Sequence, residues 1–272
     1  MAKLIDVKST GVVKMILMGA NGAGKTGALA SLADAGYNLR IIDLDSGTKV
    51  LRTLLTDARS PYKNREEAIG RIEVEPLSDP MKNINGKLVP KAATVWQRTA
   101  KLLDNWKTES ADFGPVSSWT DKDVLVIDSM TSLARGAMDF VLSMNARLGQ
   151  QPHQSDWYAG QQLVESLLRM ITDDGVHCNV ILICHVLWLG DDNGPQIGYP
   201  ETLGKKLSPK VGTHFNTMLL ARSTGSGAGQ KRQIHTRSQI GIELKTAAPL
   251  AVKDAYPIET GLADFFKDER AQ

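Results

Sequence analysis

The run Val12-Val13-Lys14-Met15-Ile16-Leu17-Met18 leads straight into Gly19-Ala20-Asn21-Gly22-Ala23-Gly24-Lys25-Thr26. That octapeptide satisfies GxxxxGK[ST] at every fixed position. Its setting is also the required one, an apolar run before it and an alanine-rich helical stretch after it. Such a chain must place a strand, a tight glycine turn and a helix in immediate succession. The glycines let backbone N–H groups turn inward around an anion, and the helix N-terminus adds its dipole. The expected cradle is Gly19, Asn21, Gly22, Ala23, Gly24, Lys25, Thr26 and Gly27. Lys25 would reach the β- and γ-phosphates, and the Thr26 hydroxyl would ligate Mg2+. ATP and Mg2+ are the expected cofactors.

Downstream, short apolar runs alternate with helical stretches, the pattern of a parallel sheet with crossover helices. Strands are expected at 12–18, 39–44, 71–75, 124–127, 180–184, 217–221, 233–236 and 242–245, and helices at 25–35, 93–108, 132–145 and 158–173. Residues 56–91, 147–157 and 187–212 read as long loops, and 223–232 as a flexible hairpin tip. The fold class is α/β, a mostly parallel twisted sheet flanked by helices with antiparallel strands near the C-terminus. At 272 residues one elaborated domain is expected, 12–265, with a lead-in at 1–11 and a tail at 266–272.

Acidic or polar residues fall at three expected strand ends. In "DVLVIDSMTSLA" four apolar residues end on Asp128. The C-terminal edge of an open α/β sheet is where ligands bind, so Asp128 is the second candidate for the Mg2+ shell, against a simpler role as a helix cap. In "LRIIDLDSG", Asp43 and Asp45 share one face. Asp45, nearer the tip, is the candidate general base and Asp43 the structural support. "NVILICHVLW" ends in His185, placed to sense the γ-phosphate or simply to pack.

A net charge of +2 gives no bulk attraction for nucleic acid, so any such surface must be local. Cys178 and Cys184, six residues apart along an extended run, sit about 20 Å from each other. That is too far for a disulfide, which fits a reducing compartment. No run approaches the roughly 18 apolar residues of a membrane span. "MAKLIDVKST" has no apolar leader. The cytoplasm is the expected location.

Together these pieces resemble the RecA-like recombinase ATPases, over roughly Val12 to Gly261. In that family the phosphate loop is followed by a strand ending in an acidic catalytic residue, as "IIDLDS" does. A second motif similar to "DVLVIDSMTSL" comes next, then a strand whose polar sensor leads into a DNA-binding loop resembling "GYPETLGKKL". "ELKTAAPL" looks like the segment whose lysine reaches a neighbouring subunit's ATP, which implies a catalytic role for Lys245 in a homo-oligomer with shared sites. His185 stands where glutamine is usual, Asp45 where glutamate is typical, and Glu243 where a second lysine is expected. The family's filament formers carry an N-terminal polymerisation segment, whereas about eleven residues precede Val12 here. The nearest look-alikes are compact phage-encoded proteins, some acting in single-strand annealing or recombination, in a bacterial host's cytoplasm.

What the resemblance implies is an ATPase stimulated by single-stranded DNA, with a single-strand binding protein as a possible partner. The alternative is a nucleotide-gated regulator or assembly ATPase that contacts proteins. The DNA candidates are Arg147, Trp188, Tyr199, Lys205, Lys206 and Lys210. Lysines and stacking aromatics are what single-strand grooves use. Asp191, Asp192 and Glu201 balance the three lysines. Arg135 and Arg147 fall where the family's first DNA loop would be, and Lys231, Arg232 and Arg237 would extend the path.

Overall fold

A computed structural model describes residues 11–109, 111–190 and 194–271. The lead-in through residue 10, together with Asp191 and Asp192, lies outside the described residues. The first unit is β1 (Lys14–Gly19), the phosphate loop, and α1 (Lys25–Asp34). Then come β2 (Asn38–Asp43), the short helices α2 (Lys49–Thr56) and α3 (Arg65–Gly70), and β3 (Ile72–Pro76). A hairpin, β4 (Met81–Ile84) and β5 (Lys87–Pro90), precedes α4 (Val95–Asp104). The middle of the chain forms β6 (Asp123–Asp128), α5 (Met130–Met144), α6 (Gln154–Thr172) and β7 (Asn179–Cys184). A second hairpin, β8 (Val186–Leu189) with β9 (Ile197–Pro200), leads to α7 (Gly204–Val211). The chain closes with β10 (Thr217–Thr224), β11 (Lys231–His235), β12 (Ala255–Pro257) and α8 (Gly261–Glu269).

The main sheet has eight strands in the order β12-β11-β10-β1-β7-β6-β2-β3. From β10 to β3 every pairing is parallel, and β11 and β12 are antiparallel. This is the expected α/β architecture, a mostly parallel sheet flanked by helices with antiparallel C-terminal strands. The central strands read as unbroken apolar runs because both faces are covered. Ile16 and Met18 of β1 pack towards α4, α5 and α6, while Met15 and Leu17 face α1, α2 and α8. Each such fully buried side chain contributes about 1.5–3 kcal/mol.

Several expectations fail locally. Residues 242–245 form no strand; Ile242 and Lys245 make only isolated bridges, because the chain touches β9 and β10 at single points. The expected loop at 187–212 is instead a hairpin and a helix. Its glycines serve close approach, since a Cβ on Gly198 would meet Val186 at 2.8 Å and Ile242 at 2.9 Å. Residues 56–91 likewise hold α3 and the β4–β5 hairpin. Both cysteines are buried and unpaired, as expected. Among the described residues no helix is long and apolar enough to cross a membrane.

Candidate functional site

The strand order brings four strand ends to one edge. β7 lies between β1 and β6, so His185, just past β7, falls between the phosphate loop and Asp128. Register confirms the alignment: Gly19 pairs with Ala221, Met18 with Cys184, and Asp128 with both Ile183 and Asp43. Gly19 must be glycine, because a Cβ there would meet the Ala221 carbonyl oxygen at 2.3 Å. Gly24, at φ 94°, takes the left-handed conformation that starts α1.

Around this edge the side chains interlock. Lys25 is buried, and its Nζ donates to the carbonyls of Gly19 at 2.7 Å and Ala20 at 3.0 Å. Thr26 Oγ1 donates to Asp128 Oδ2 at 2.6 Å. Asp43 accepts from the backbone N–H of Gly47 and from the N–H and hydroxyl of Thr48, so it fixes the turn after β2. Asp45 accepts from the Ser132 hydroxyl, and its Oδ2 lies 3.9 Å from His185 Nε2. Thr131 receives the His185 N–H and donates to the Glu201 carbonyl, tying His185 to the segment before α7.

A pocket of about 420 Å³ runs from Asn21, Gly22 and Gly24–Gly27 past Asp45, Asp128 and His185. This is ordinary for a small-ligand site. The sequence matches the AAA domain family over residues 12–246. The chain belongs to that AAA domain family. A search of curated proteins found no match. Similar solved structures include the RadB recombinase, at 16% identity and TM-score 0.47, covering 92% of this chain and 89% of that one. A KaiC-like protein from the hyperthermophilic archaeon Pyrococcus horikoshii, at 15% identity and TM-score 0.44, covers 92% and 87%.

In this AAA domain the electrostatics of the edge are set by burial. Burial raises the Asp128 carboxyl to about 6, helped by the charges of Asp45 and Asp43 and opposed by the Thr26 hydrogen bond and Lys25. Burial lowers Lys25, with Asp128, Cys184 and Asp45 working against it. The edge is therefore short of positive charge, which a cation would supply. Thr26 and Asp128 present two hard oxygens of the kind Mg2+ takes. Among the described residues no group of three or more His, Cys, Asp or Glu could hold a metal alone. Phosphate oxygens and water would complete its shell.

The other expected site residues do not converge. Lys245 lies beside Met218, three residues along β10 from Ala221, and lines a separate pocket with Tyr199. Trp188 pairs with Gly198 and Tyr199 with Leu187, so the two aromatics face opposite sides of the hairpin. Lys205, Lys206 and Lys210 are exposed on α7 and line neither Trp188's cleft nor Tyr199's. Arg147 turns inward to the buried carboxylate of Asp156, which leaves its guanidinium committed to structure. Arg237 is similarly held by Asp254 and the Pro249 carbonyl.

Sequence reasoning missed Ser132 and Thr131, whose signal is their place in the first turn after Asp128. It also missed a second cleft, of about 1080 Å³, that shares Asn21, Gly22, Asp45, His185 and Arg232 with the nucleotide pocket. Its walls carry Arg135, Arg222 and Trp188. Neither Arg135 nor Arg222 has a carboxylate partner among the described residues.

Proposed function

We propose that this P-loop ATPase hydrolyses ATP in a cycle coupled to single-stranded DNA, in recombination or annealing. The observation carrying the DNA half is the large cleft that opens from the nucleotide pocket. Three exposed guanidiniums, Arg135, Arg222 and Arg232, line it with Trp188, which is 47% exposed. Guanidiniums and a stacking indole are the chemistry that grips phosphodiesters and unpaired bases. Asp45 and His185 belong to both spaces, so a strand in the cleft would touch the catalytic edge itself.

For hydrolysis, Asp45 holds the attacking water in line with the γ-phosphate, and the Ser132 hydroxyl fixes the Asp45 carboxylate. Lys25 and the phosphate-loop N–H groups offset charge developing on the phosphoryl oxygens. Thr26 and Asp128 would hold Mg2+, which supplies further neutralisation. His185 reports the γ-phosphate through Thr131 and Glu201 to the segment leading into α7. Lys245, remote from its own loop, would serve a neighbour's ATP in a homo-oligomer.

A second reading, a nucleotide-gated regulator that contacts proteins, has one observation in its favour. Ile240, on the cleft's rim, and Leu250 are fully exposed. ATP turnover with and without single-stranded DNA, at two salt concentrations, separates the two. The DNA reading expects salt-sensitive stimulation, and the doubly substituted Arg135→Ala, Arg222→Ala protein should lower the salt slope of binding by about two. Turnover indifferent to DNA, with no binding in the presence of a non-hydrolysable ATP analogue, would leave the protein-contacting reading.

A further inference from the structure

The phosphate loop fixes one end of the nucleotide pocket, and the remaining walls define the other. Beyond Thr26 these are Val50 and Leu54 of α2, Pro61, Tyr62, Ile258 and Glu259. The C-terminal strands reach right onto the loop: a Cβ on Gly24 would meet Ile258 Cγ1 at 2.9 Å and Arg232 Cδ at 3.4 Å. Beside the loop the pocket is thus a slot with apolar walls, Val50 and Leu54 of α2 and Ile258. Its polar groups, apart from Arg232, are the Tyr62 phenol and the Glu259 carboxylate.

These two groups line the same pocket. Tyr62 is 6% exposed. Its phenol is pushed up to about 12 by burial and then by the charges of Glu259 and Asp34, so it stays a neutral O–H. Glu259 is exposed and has no hydrogen-bond or ion-pair partner among the described residues. An apolar slot with one hydroxyl and one free carboxylate, adjoining the phosphate loop, matches a flat heteroaromatic ring with N–H donors on its outer edge.

We infer that this slot is the nucleobase subsite and that Glu259 reads the base, accepting a hydrogen bond from the exocyclic amine of adenine beside the Tyr62 hydroxyl. The inference rests on the ATP reading above and adds what discriminates among triphosphates. Inosine presents a carbonyl in place of that amine and its donor one ring position over, at N1, so a carboxylate, which only accepts, placed for the exocyclic amine meets an acceptor instead. Inorganic tripolyphosphate has no base to read.

Binding of the whole chain to three Mg2+-loaded probes tests this: a non-hydrolysable ATP analogue, its inosine counterpart and tripolyphosphate. Glu259→Gln should weaken the adenine probe about tenfold and narrow its preference over inosine. Tripolyphosphate affinity should stay unchanged. Tyr62→Phe, which keeps the ring, should weaken the adenine probe by a smaller factor. Equal loss for all three probes, or wild-type selectivity in Glu259→Gln, would overturn the assignment. Unaltered tripolyphosphate binding in Lys25→Ala would instead sink the phosphate-loop assignment, and the base subsite with it.

Discussion

β6 begins and ends on an aspartate, and the two carboxylates have opposite fates. Asp123, at the N-terminal edge, accepts from Arg40 at 2.8 Å, from the Asn38 amide at 3.2 Å, and from the N–H and hydroxyl of Thr120. Burial pushes against its charge, yet these bonds outweigh it and hold the carboxyl below its ordinary value. Arg40 is itself stacked between the rings of Phe113 and Trp119. Asn179 and Arg270 close the cluster over β1 and Tyr37. The Asp128 carboxylate, five residues along the strand, has one close hydrogen bond among the described residues, from Thr26, and is raised to about 6. One end of the sheet satisfies its own charges; the other leaves them for a ligand. Site and scaffold differ here in how completely the polar groups are paired, since both ends are buried.

The sharpest way to break this contrast is at the open end. Lys25→Ala should lower ATP turnover by at least about 10²-fold while the far-ultraviolet circular dichroism stays that of the wild type. Near-normal turnover would mean the edge with unpaired charges is not where hydrolysis happens.

The next effect belongs to the closed end. Asp123→Asn should cost about 3 kcal/mol of stability, measured by denaturant midpoint at pH 7, because it strands the Arg40 guanidinium in an apolar sandwich. Asp128→Asn should leave stability unchanged or raise it. The signs follow from the shifts. A depressed carboxyl stabilises the fold above its ordinary titration range, and that contribution fades as pH falls through its folded value. A raised one contributes below the ordinary range and loses that contribution as pH rises through about 6. A reversed order of the two variants would mean that pairing is not what separates the ends.

The smallest expected effect tests whether a neighbour completes the open end. Lys25→Ala and Lys245→Ala subunits, each inactive alone, should regain partial turnover when mixed, because some interfaces then pair two intact halves. Mixed oligomers no more active than either parent would remove the shared-site role of Lys245.

The open end was also the more legible in sequence, and for a physical reason. A phosphate loop needs its glycines and lysine at fixed spacing, and a strand buried on both faces needs an unbroken apolar run, so β1, β6 and β7 announce themselves. Asp43, Asp45, Asp128 and His185 followed from falling at the ends of such runs. Elements held by tertiary contact left weaker signals. The helix α2 buries only Leu51 and Leu55, and α7 hides behind an internal Pro209. The segment 187–212 looked loop-like because glycine was read as flexibility where Gly198 marks close packing. Nothing in the local pattern revealed that Arg147 would find Asp156, or that Arg135 and Arg222, from different elements, would line one cleft.

The seating of Ile258 and Arg232 against Gly24 has a consequence for how the protein comes into being. Gly24 and Ile258, which meet in this wall, lie 234 positions apart in the chain. At about 5–20 residues per second, translation separates their emergence by roughly 10 to 50 s. Throughout that interval the phosphate loop exists without its C-terminal wall. The complete pocket therefore forms only after the strands carrying Arg232 and Ile258 have docked.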